Sequence, residues 1–179
     1  MLRWLILPFA LLWWSAAHAA DSVTLRVGET VEIRIGADGK AVAGAKAKAA
    51  PISDFDGRAL AQMAGVGVPA GAKTMPPEVM SAKVGEVVPA IAPDTLRISL
   101  LDVSGKSEHD RLLIIENGYG KAVRYNAVLH RGGRATPTDV CLVMPDMRGY
   151  EHWPYAFEEI DLSALSLVDW KESDGIPCA

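Results

Sequence analysis

The sequence predicts an all-β fold: an antiparallel β-sandwich of immunoglobulin-like type, with a long, partly helical insertion rich in Ala, Gly and Pro. About seven or eight short runs of strand-forming residues are separated by turn residues, and many alternate apolar and polar side chains. Such alternation leaves one face of each strand in water, which excludes an all-parallel sheet. A small closed barrel is the second choice. Hydrophobic residues make up 50% of the chain, which excludes a wholly disordered protein.

Residues 1–19 have the pattern of an export signal. Arg3 supplies the positive charge, residues 5–14 form a short apolar core, and residues 17–19 (AHA) match the small-x-small cleavage rule. The apolar core is about half as long as the roughly 20 residues that a spanning helix needs, so cleavage is favoured over an uncleaved anchor. Residues 20–179 are then expected to form one domain, periplasmic or secreted, with no membrane attachment.

Two alternating runs, residues 23–27 and 31–35, open this domain. Each predicts a strand with one buried and one solvated face. The turn at Gly28 either closes a hairpin between them or lets the chain switch sheets. The VGETVEI segment resembles the first strands of many bacterial immunoglobulin-like modules, and this resemblance implies a sandwich of that type.

Residues 36–93 form the predicted insertion or flap. Six of the 11 prolines lie between Pro51 and Pro93, and residues 41–50 are Ala, Gly, Val and Lys with little to bury. A short helix is predicted over residues 55–63, with Ser53 or Asp54 as its N-cap, and a second one from Pro76, because Pro is favoured in the first helical turn. A tolerated linker is favoured over a functional flap.

Residues 95–144 carry the predicted core strands. Residues 95–103 and 122–129 alternate, whereas residues 112–115 are apolar on both faces, which is typical of a central strand. Residues 138–144 are expected to return through the core. Beyond them we predict an aromatic loop over residues 147–154 and two more strands, which cover residues 157–162 and 165–170.

Cys141 and Cys178 are the two cysteines of the chain, and an even count in an exported protein favours a disulfide. Closing that loop is worth on the order of 4 kcal/mol in the chain-entropy model. A redox-active or metal-binding pair is disfavoured, because there is no CxxC motif and Cys141 lies in an apolar run.

The acidic balance of the chain restricts its partners. A formal net charge of -4 with scattered Lys and Arg argues against nucleic acid and against anionic lipid, which both need a basic face. An unknown protein or an envelope component is the expected partner.

The predicted aromatic loop supplies the candidate ligand-binding residues. Flat rings bury much area at little entropic cost, so these residues could form a sugar-stacking or peptide-binding surface. The favoured alternative is that Trp153 and Phe157 close one end of the sandwich.

A basic cluster of Arg124, Arg131 and Arg134 could bind a carboxylate or phosphate. The candidate binding residues are Tyr150, His152, Trp153, Tyr155, Arg124 and His130.

No catalytic residue, metal ligand or cofactor is assigned. Three histidines have acidic neighbours but no ligand-like spacing: His109, His130 and His152. A set of Met144, Met147 and His152 would suit Cu(I) only if the fold brings the three side chains together. The chain has no GxSxG motif, and a pairing of His130 with Asp139 across strands would lack a nucleophile.

The segments YNAVLHRGG, TPTDVCLVMP and GYEHWPYAFEEIDL, roughly the C-terminal third, resemble an uncharacterised family of small exported proteins from Gram-negative bacteria. The resemblance implies a secreted β domain and no activity. The first expectation is therefore a non-enzymatic periplasmic binding or structural module. The second is a carbohydrate- or envelope-ligand-binding domain that uses Tyr150, Trp153 and Tyr155. The third is a hydrolase or metal-dependent enzyme centred on His130, Asp139 and His152.

Overall fold

The computed structural model describes residues 22–36, 38–63, 92–104 and 110–178, which form two antiparallel sheets and one α-helix. The export signal and the helix predicted from Pro76 lie outside these residues. In chain order the elements are β1 (Ser22–Arg26), β2 (Glu29–Ile35), β3 (Ala41–Ala43), β4 (Ala47–Lys48), α1 (Asp54–Met63), β5 (Leu96–Asp102), β6 (Arg111–Asn117), β7 (Ala122–Arg131), β8 (Arg134–Thr138), β9 (Arg148–Trp153) and β10 (Glu159–Val168).

The predicted all-β sandwich is confirmed. One sheet has four strands in the order β1-β10-β7-β8, and the other has six, in the order β3-β2-β5-β6-β9 with β4 also paired to β2. The turn at Gly28 switches the chain from the first sheet to the second, and its φ of 88° suits glycine. The immunoglobulin-like connection of the strands stays a prediction. Among the described residues, no helix is long and apolar enough to cross a bilayer.

Alternation places the core between the sheets. The inward residues of β2, β5, β7 and β10 are almost fully buried, and on β7 the inward side chains are Val123, Tyr125, Ala127 and Leu129, as predicted. Gly149 of β9 also faces inward, where a Cβ atom would lie 2.6 Å from a methyl group of Val143. A side chain at position 149 would therefore push the 139–144 segment away from the core.

β6 is buried on both faces, as predicted for a central strand. Its second face is covered because residues 49–53 and α1 cross the outside of the six-stranded sheet, where a smaller apolar cluster forms. That cluster consists of Ala49, Leu101, Leu112 and Ile114, with Leu60, Val103 and Tyr150 packed against it.

α1 begins at Asp54, close to its predicted start. Ser53 is the capping residue: its Oγ accepts a hydrogen bond from the Asp56 backbone N–H at 3.1 Å and donates one to Asp56 Oδ2 at 2.5 Å. The Ala-rich run before α1 is more ordered than the sequence indicates, because residues 41–43 and 47–48 pair with β2.

Four predicted elements differ from the structure. The sequence predicts that residues 138–144 return through the core as a strand, but beyond Thr138, the last residue of β8, they form only two isolated bridges, at Cys141 and Val143. Residues 148–153 are strand β9 rather than a loop, paired along β6. Residues 159–168 are one strand, β10, because a bulge between Ser163 and Ser166 absorbs the break in alternation without ending the pairing with β7. Residues 134–138 form β8, an edge strand that tolerates Pro137 and pairs with β7 across the Gly132–Gly133 turn.

The predicted disulfide is present, with the Cys141 and Cys178 sulfur atoms bonded at 2.00 Å. The bond joins the C-terminal tail to the 139–144 segment, and the Leu142 N–H donates to the Pro177 carbonyl oxygen at 3.0 Å beside it. The tail is otherwise exposed, so these two contacts hold it against the sandwich.

Candidate functional site

The six residues predicted to bind a ligand lie on different faces of the sandwich. Tyr150 and His152 are on the outer face of the six-stranded sheet, because their neighbour Trp153 points into the core. Arg124 and His130 alternate with core residues of β7, so they lie on the outer face of the four-stranded sheet. The core separates the two groups, and the structure does not bring the six residues into one site.

The aromatic side chains do not form a common platform either. Trp153 is only 6% exposed, packs edge-on against Phe157 at 5.4 Å between ring centroids, and donates from Nε1 to Thr138 Oγ1 at 3.0 Å. Tyr155 is 38% exposed, with the Arg131 guanidinium 5.9 Å from its ring centroid. A ligand stacked on Tyr155 would therefore not reach the ring of Trp153.

His130 has a different acidic partner from the one considered in the sequence. Its Nε2 lies 2.7 Å from Asp161 Oδ2, and Thr24 donates to Asp161 Oδ1 at 2.5 Å, whereas Asp139 is exposed. Although burial raises the pKa of Asp161, the hydrogen bonds from Thr24 and His130 outweigh it and lower the pKa overall. The Asp161 carboxylate lies between the Thr24 hydroxyl and the His130 imidazole. The imidazole therefore does not contact the hydroxyl, which it would have to activate in a catalytic triad.

His130, Asp139 and His152 do not converge, since His130 and His152 lie on opposite outer faces. The Nε2 atom of His152 lies 3.6 Å from Asp110 Oδ2. His109 is outside the described residues, and within those residues no three His, Cys, Asp or Glu side chains are grouped so that they could hold a metal ion.

A row of alternating charges, which is not among the predicted sites, crosses the outer face of the six-stranded sheet. Strand register places Glu32 opposite Arg97, Arg97 opposite Glu116, and Glu116 opposite Arg148. Arg97 donates from Nη2 to Glu32 at 3.0 Å and from Nη1 to Glu116 at 3.3 Å. We call these four residues the charge ladder. Its members neutralise one another pairwise on neighbouring strands.

α1 extends the ladder by a fifth charge. Arg148 donates from Nη1 to Asp56 Oδ1 at 2.6 Å and from Nη2 to Glu116, and the Tyr150 hydroxyl donates to the same Asp56 oxygen at 2.8 Å. Burial, followed by the hydrogen bond to Asp56, raises the pKa of Tyr150, so the hydroxyl stays a donor. Asp56 therefore fastens the helix to β9.

A cleft of about 420 Å³ lies between the N-terminal part of α1 and the sheet. We call it the α1 cleft. Most of its lining surface is apolar, although eight of its thirteen lining residues are polar or charged. The polar groups come from the charge ladder, from α1 and its cap, from Lys48 of β4 and from the hydroxyls of β2 and β5. The lining residues are Thr30, Lys48, Ala50, Pro51, Ile52, Ser53, Asp56, Arg97, Ser99, Leu101, Ile114, Glu116 and Arg148.

The polar groups of the cleft are mostly engaged with one another. Thr30 donates to the Ile98 carbonyl oxygen at 3.1 Å, and its hydroxyl lies 2.9 Å from that of Ser99. Asp56 and Glu116 both accept from arginine. Lys48 differs, since its ammonium makes no ion pair or hydrogen bond with any residue that the structure describes.

Glu151 is a partly buried acid on the inward face of β9. It accepts a hydrogen bond from the Cys141 backbone N–H at 2.6 Å, and the Tyr125 hydroxyl lies 3.5 Å away. Burial raises the pKa of Glu151, and these two donors only partly offset it. Its position beside the disulfide indicates a structural role rather than contact with a ligand.

The sequence contains only a weak signal of the charge ladder. Arg97 interrupts one strongly apolar strand and Glu116 ends another, and a charge in such a strand needs a partner. The partners come from strands and a helix far apart in the chain, and only the register reveals them. No protein family, curated protein or solved structure matches this chain.

Proposed function

We propose that this chain is an exported, non-enzymatic binding module of the cell envelope, and that its ligand occupies the α1 cleft. The observation that carries this proposal is the cleft itself. Its volume, about 420 Å³, falls in the range of roughly 300–1,000 Å³ that is usual for small-molecule sites. Most of the lining surface is apolar, as is usual for such sites, although eight of the thirteen lining residues are polar or charged.

Export is supported by the leader pattern of residues 1–19 and by the Cys141–Cys178 bond. Disulfides persist mainly in oxidising compartments, of which the bacterial periplasm is one. A periplasmic or secreted immunoglobulin-like module agrees with both features.

Binding without catalysis is supported by the chemistry of the lining. Among the residues that the structure describes, no histidine or cysteine lines the cleft. The hydroxyl of Ser53 donates to Asp56 within its own helix cap, and Thr30 and Ser99 bond to each other. A nucleophile needs a base that is free to take its proton, and both lining carboxylates already accept from arginine.

An envelope ligand other than a sugar suits the cleft best. Carbohydrate sites commonly present an aromatic face, and none of the lining residues is aromatic. Tyr150 lies near the cleft, but its hydroxyl bonds to Asp56 and its ring packs on the small apolar cluster.

The test is whether blocking the cleft abolishes binding of 1-N-phenylnaphthylamine, a neutral apolar dye that fluoresces when it leaves water. Ala50 is an exposed lining residue, so Ala50→Trp should fill the cleft without disturbing the core. Ala135→Trp, at an exposed position on β8, is the matched control.

The wild type and Ala135→Trp should show saturable binding with one dye per protein, and Ala50→Trp should show none. Dye binding that is unchanged in Ala50→Trp would overturn the proposal, and so would a wild type that binds neither this dye nor an aliphatic amphiphile such as decanoate or 1-decanol. Circular dichroism establishes that all three proteins are folded.

A further inference from the structure

Resting on the proposed function, we propose that the ligand of the α1 cleft is an amphiphilic monoanion: an aliphatic chain with a single carboxylate head. The chain would lie against the aliphatic walls, and the carboxylate would pair with Lys48.

The walls select the apolar part of this ligand. Leu101 and Ile114 form the inner wall, and Pro51 and Ile52 the outer one. Ile52 is 36% exposed at the rim. A bound chain would cover it and gain about 0.8 kcal/mol for each methylene buried, or roughly fourfold in affinity.

The charges of the lining select the head group. Three lining residues are basic (Lys48, Arg97 and Arg148) and two are acidic (Asp56 and Glu116), so the lining carries 3 − 2 = +1. Glu32 lies outside the lining and pairs with Arg97. The negative charge of Glu32 cancels the positive sum of the lining. Lys48 nevertheless has no partner in the described part of the chain.

Other head groups fit less well. A cationic head would meet Lys48, while the lining carboxylates that could attract it already accept from arginine. A dianionic head would find one unpaired ammonium and two nearby carboxylates, and the second negative charge would be repelled. A neutral head would leave the ammonium unpaired. One negative charge is what the ammonium of Lys48 can neutralise.

The experiment is isothermal titration calorimetry of the mature protein with decanoate, 1-decanol and decyl phosphate. Lys48→Gln removes the proposed partner of the head group. Lys40→Gln, at an exposed position in the β2–β3 turn, removes an equal charge outside the cleft and is the matched control. Octanoate tests the contribution of the chain.

Decanoate should bind the wild type and Lys40→Gln at least about tenfold more tightly than decanol, because hydrogen bonds to charged groups are the stronger ones. Octanoate should bind roughly fifteenfold more weakly than decanoate, since two methylenes are lost. In Lys48→Gln the affinity for decanoate should fall to that for decanol.

Equal affinities for decanoate and decanol in the wild type would overturn the monoanion and leave the cleft as a site for neutral ligands. An unchanged affinity for decanoate in Lys48→Gln would overturn Lys48 as the partner of the head group. Tighter binding of decyl phosphate than of decanoate would replace the carboxylate by a dianion and likewise overturn the monoanion. If the dye, decanoate and decanol all fail to bind, the proposed function falls together with this inference.

Discussion

Arg148 of β9 donates to Asp56 of α1 at 2.6 Å, and this contact joins the helix to the six-stranded sheet. The two side chains are 12% and 7% exposed, so the pair is largely shielded from water. The helix itself contributes little apolar surface, with Leu60 partly buried on the small cluster. The wall of the α1 cleft is therefore positioned by ionic and hydrogen-bonded contacts more than by hydrophobic packing.

Asp56→Asn should destabilise the protein and loosen α1. Removing one partner of a buried ion pair leaves the other uncompensated, and we expect a loss of about 3 kcal/mol in the free energy of unfolding by urea. Amide hydrogen exchange of α1 should accelerate. Asp169→Asn breaks the exposed pair with Lys121 and should cost no more than about 0.5 kcal/mol. Equal effects of the two variants would contradict the role given to Asp56.

The hydroxyl of Tyr150 should stabilise the fold only when Asp56 is present. Tyr150→Phe removes the hydrogen bond at 2.8 Å and should cost about 1 kcal/mol in the wild type. In an Asp56→Ala background the same change should cost nothing, because the acceptor is gone. Urea unfolding of the four proteins closes this double-mutant cycle. Equal costs in both backgrounds would show that the two residues are not coupled.

The disulfide should contribute strongly to stability. The double variant Cys141→Ser and Cys178→Ser should lose about 4 kcal/mol, the loop-closure value for the 37-residue separation. Reduction of the wild type should lower the thermal midpoint in the same direction. Non-reducing mass spectrometry should find the two cysteine peptides joined. Two free thiols in protein purified without reducing agent would refute the bond.

Glu151 should make the fold less stable as pH rises. Its pKa in the folded state is raised by burial above the ordinary value of 4.5, so the folded state binds the proton more tightly than the unfolded state. The stability that protonated Glu151 contributes is fully present below the ordinary pKa of 4.5. It is lost as the pH rises through the pKa of the folded state. Glu151→Gln should lack this loss, and Glu172→Gln, in the exposed tail, should retain it. Parallel pH profiles for wild type and Glu151→Gln would contradict the assignment.

Asp161 should have the opposite effect. Its folded pKa is lowered, so its contribution is present above the ordinary value of 3.8 and is lost as pH falls through the folded pKa. Acid unfolding followed by circular dichroism should show this loss in the wild type and not in Asp161→Asn. Asp139→Asn should behave as the wild type. If Asp139→Asn lacked the loss of stability in acid and Asp161→Asn retained it, Asp139 rather than Asp161 would be the carboxylate that pairs with His130.

The sequence predicts the sandwich well because alternation reports directly which side chains face the core, as on β7. It also predicts a cap at Ser53 or Asp54, of which the structure uses Ser53. The disulfide is predicted because the chain has an even number of cysteines. β9 was missed because its outward residues are charged or aromatic, and its inward ones include Gly149 and Glu151, so no apolar period is visible.

The α1 cleft could not be predicted from the sequence, because its walls come from separate segments. The charge ladder exists only once four strands are in register, and its fifth member lies on a helix. The aromatic residues predicted a binding site elsewhere, since large rings are common in binding sites. Here Trp153 serves the core and Tyr150 positions Asp56.

The most direct test of the central claim is to map decanoate onto the isotope-labelled mature protein by amide chemical-shift changes in two-dimensional NMR. The account predicts saturable shifts at Thr30, Ser99 and Ile52, and none at Arg124 or Asn126 on the opposite sheet. Shifts centred on His130 and Tyr155, or no saturable shift at the α1 cleft, would contradict it.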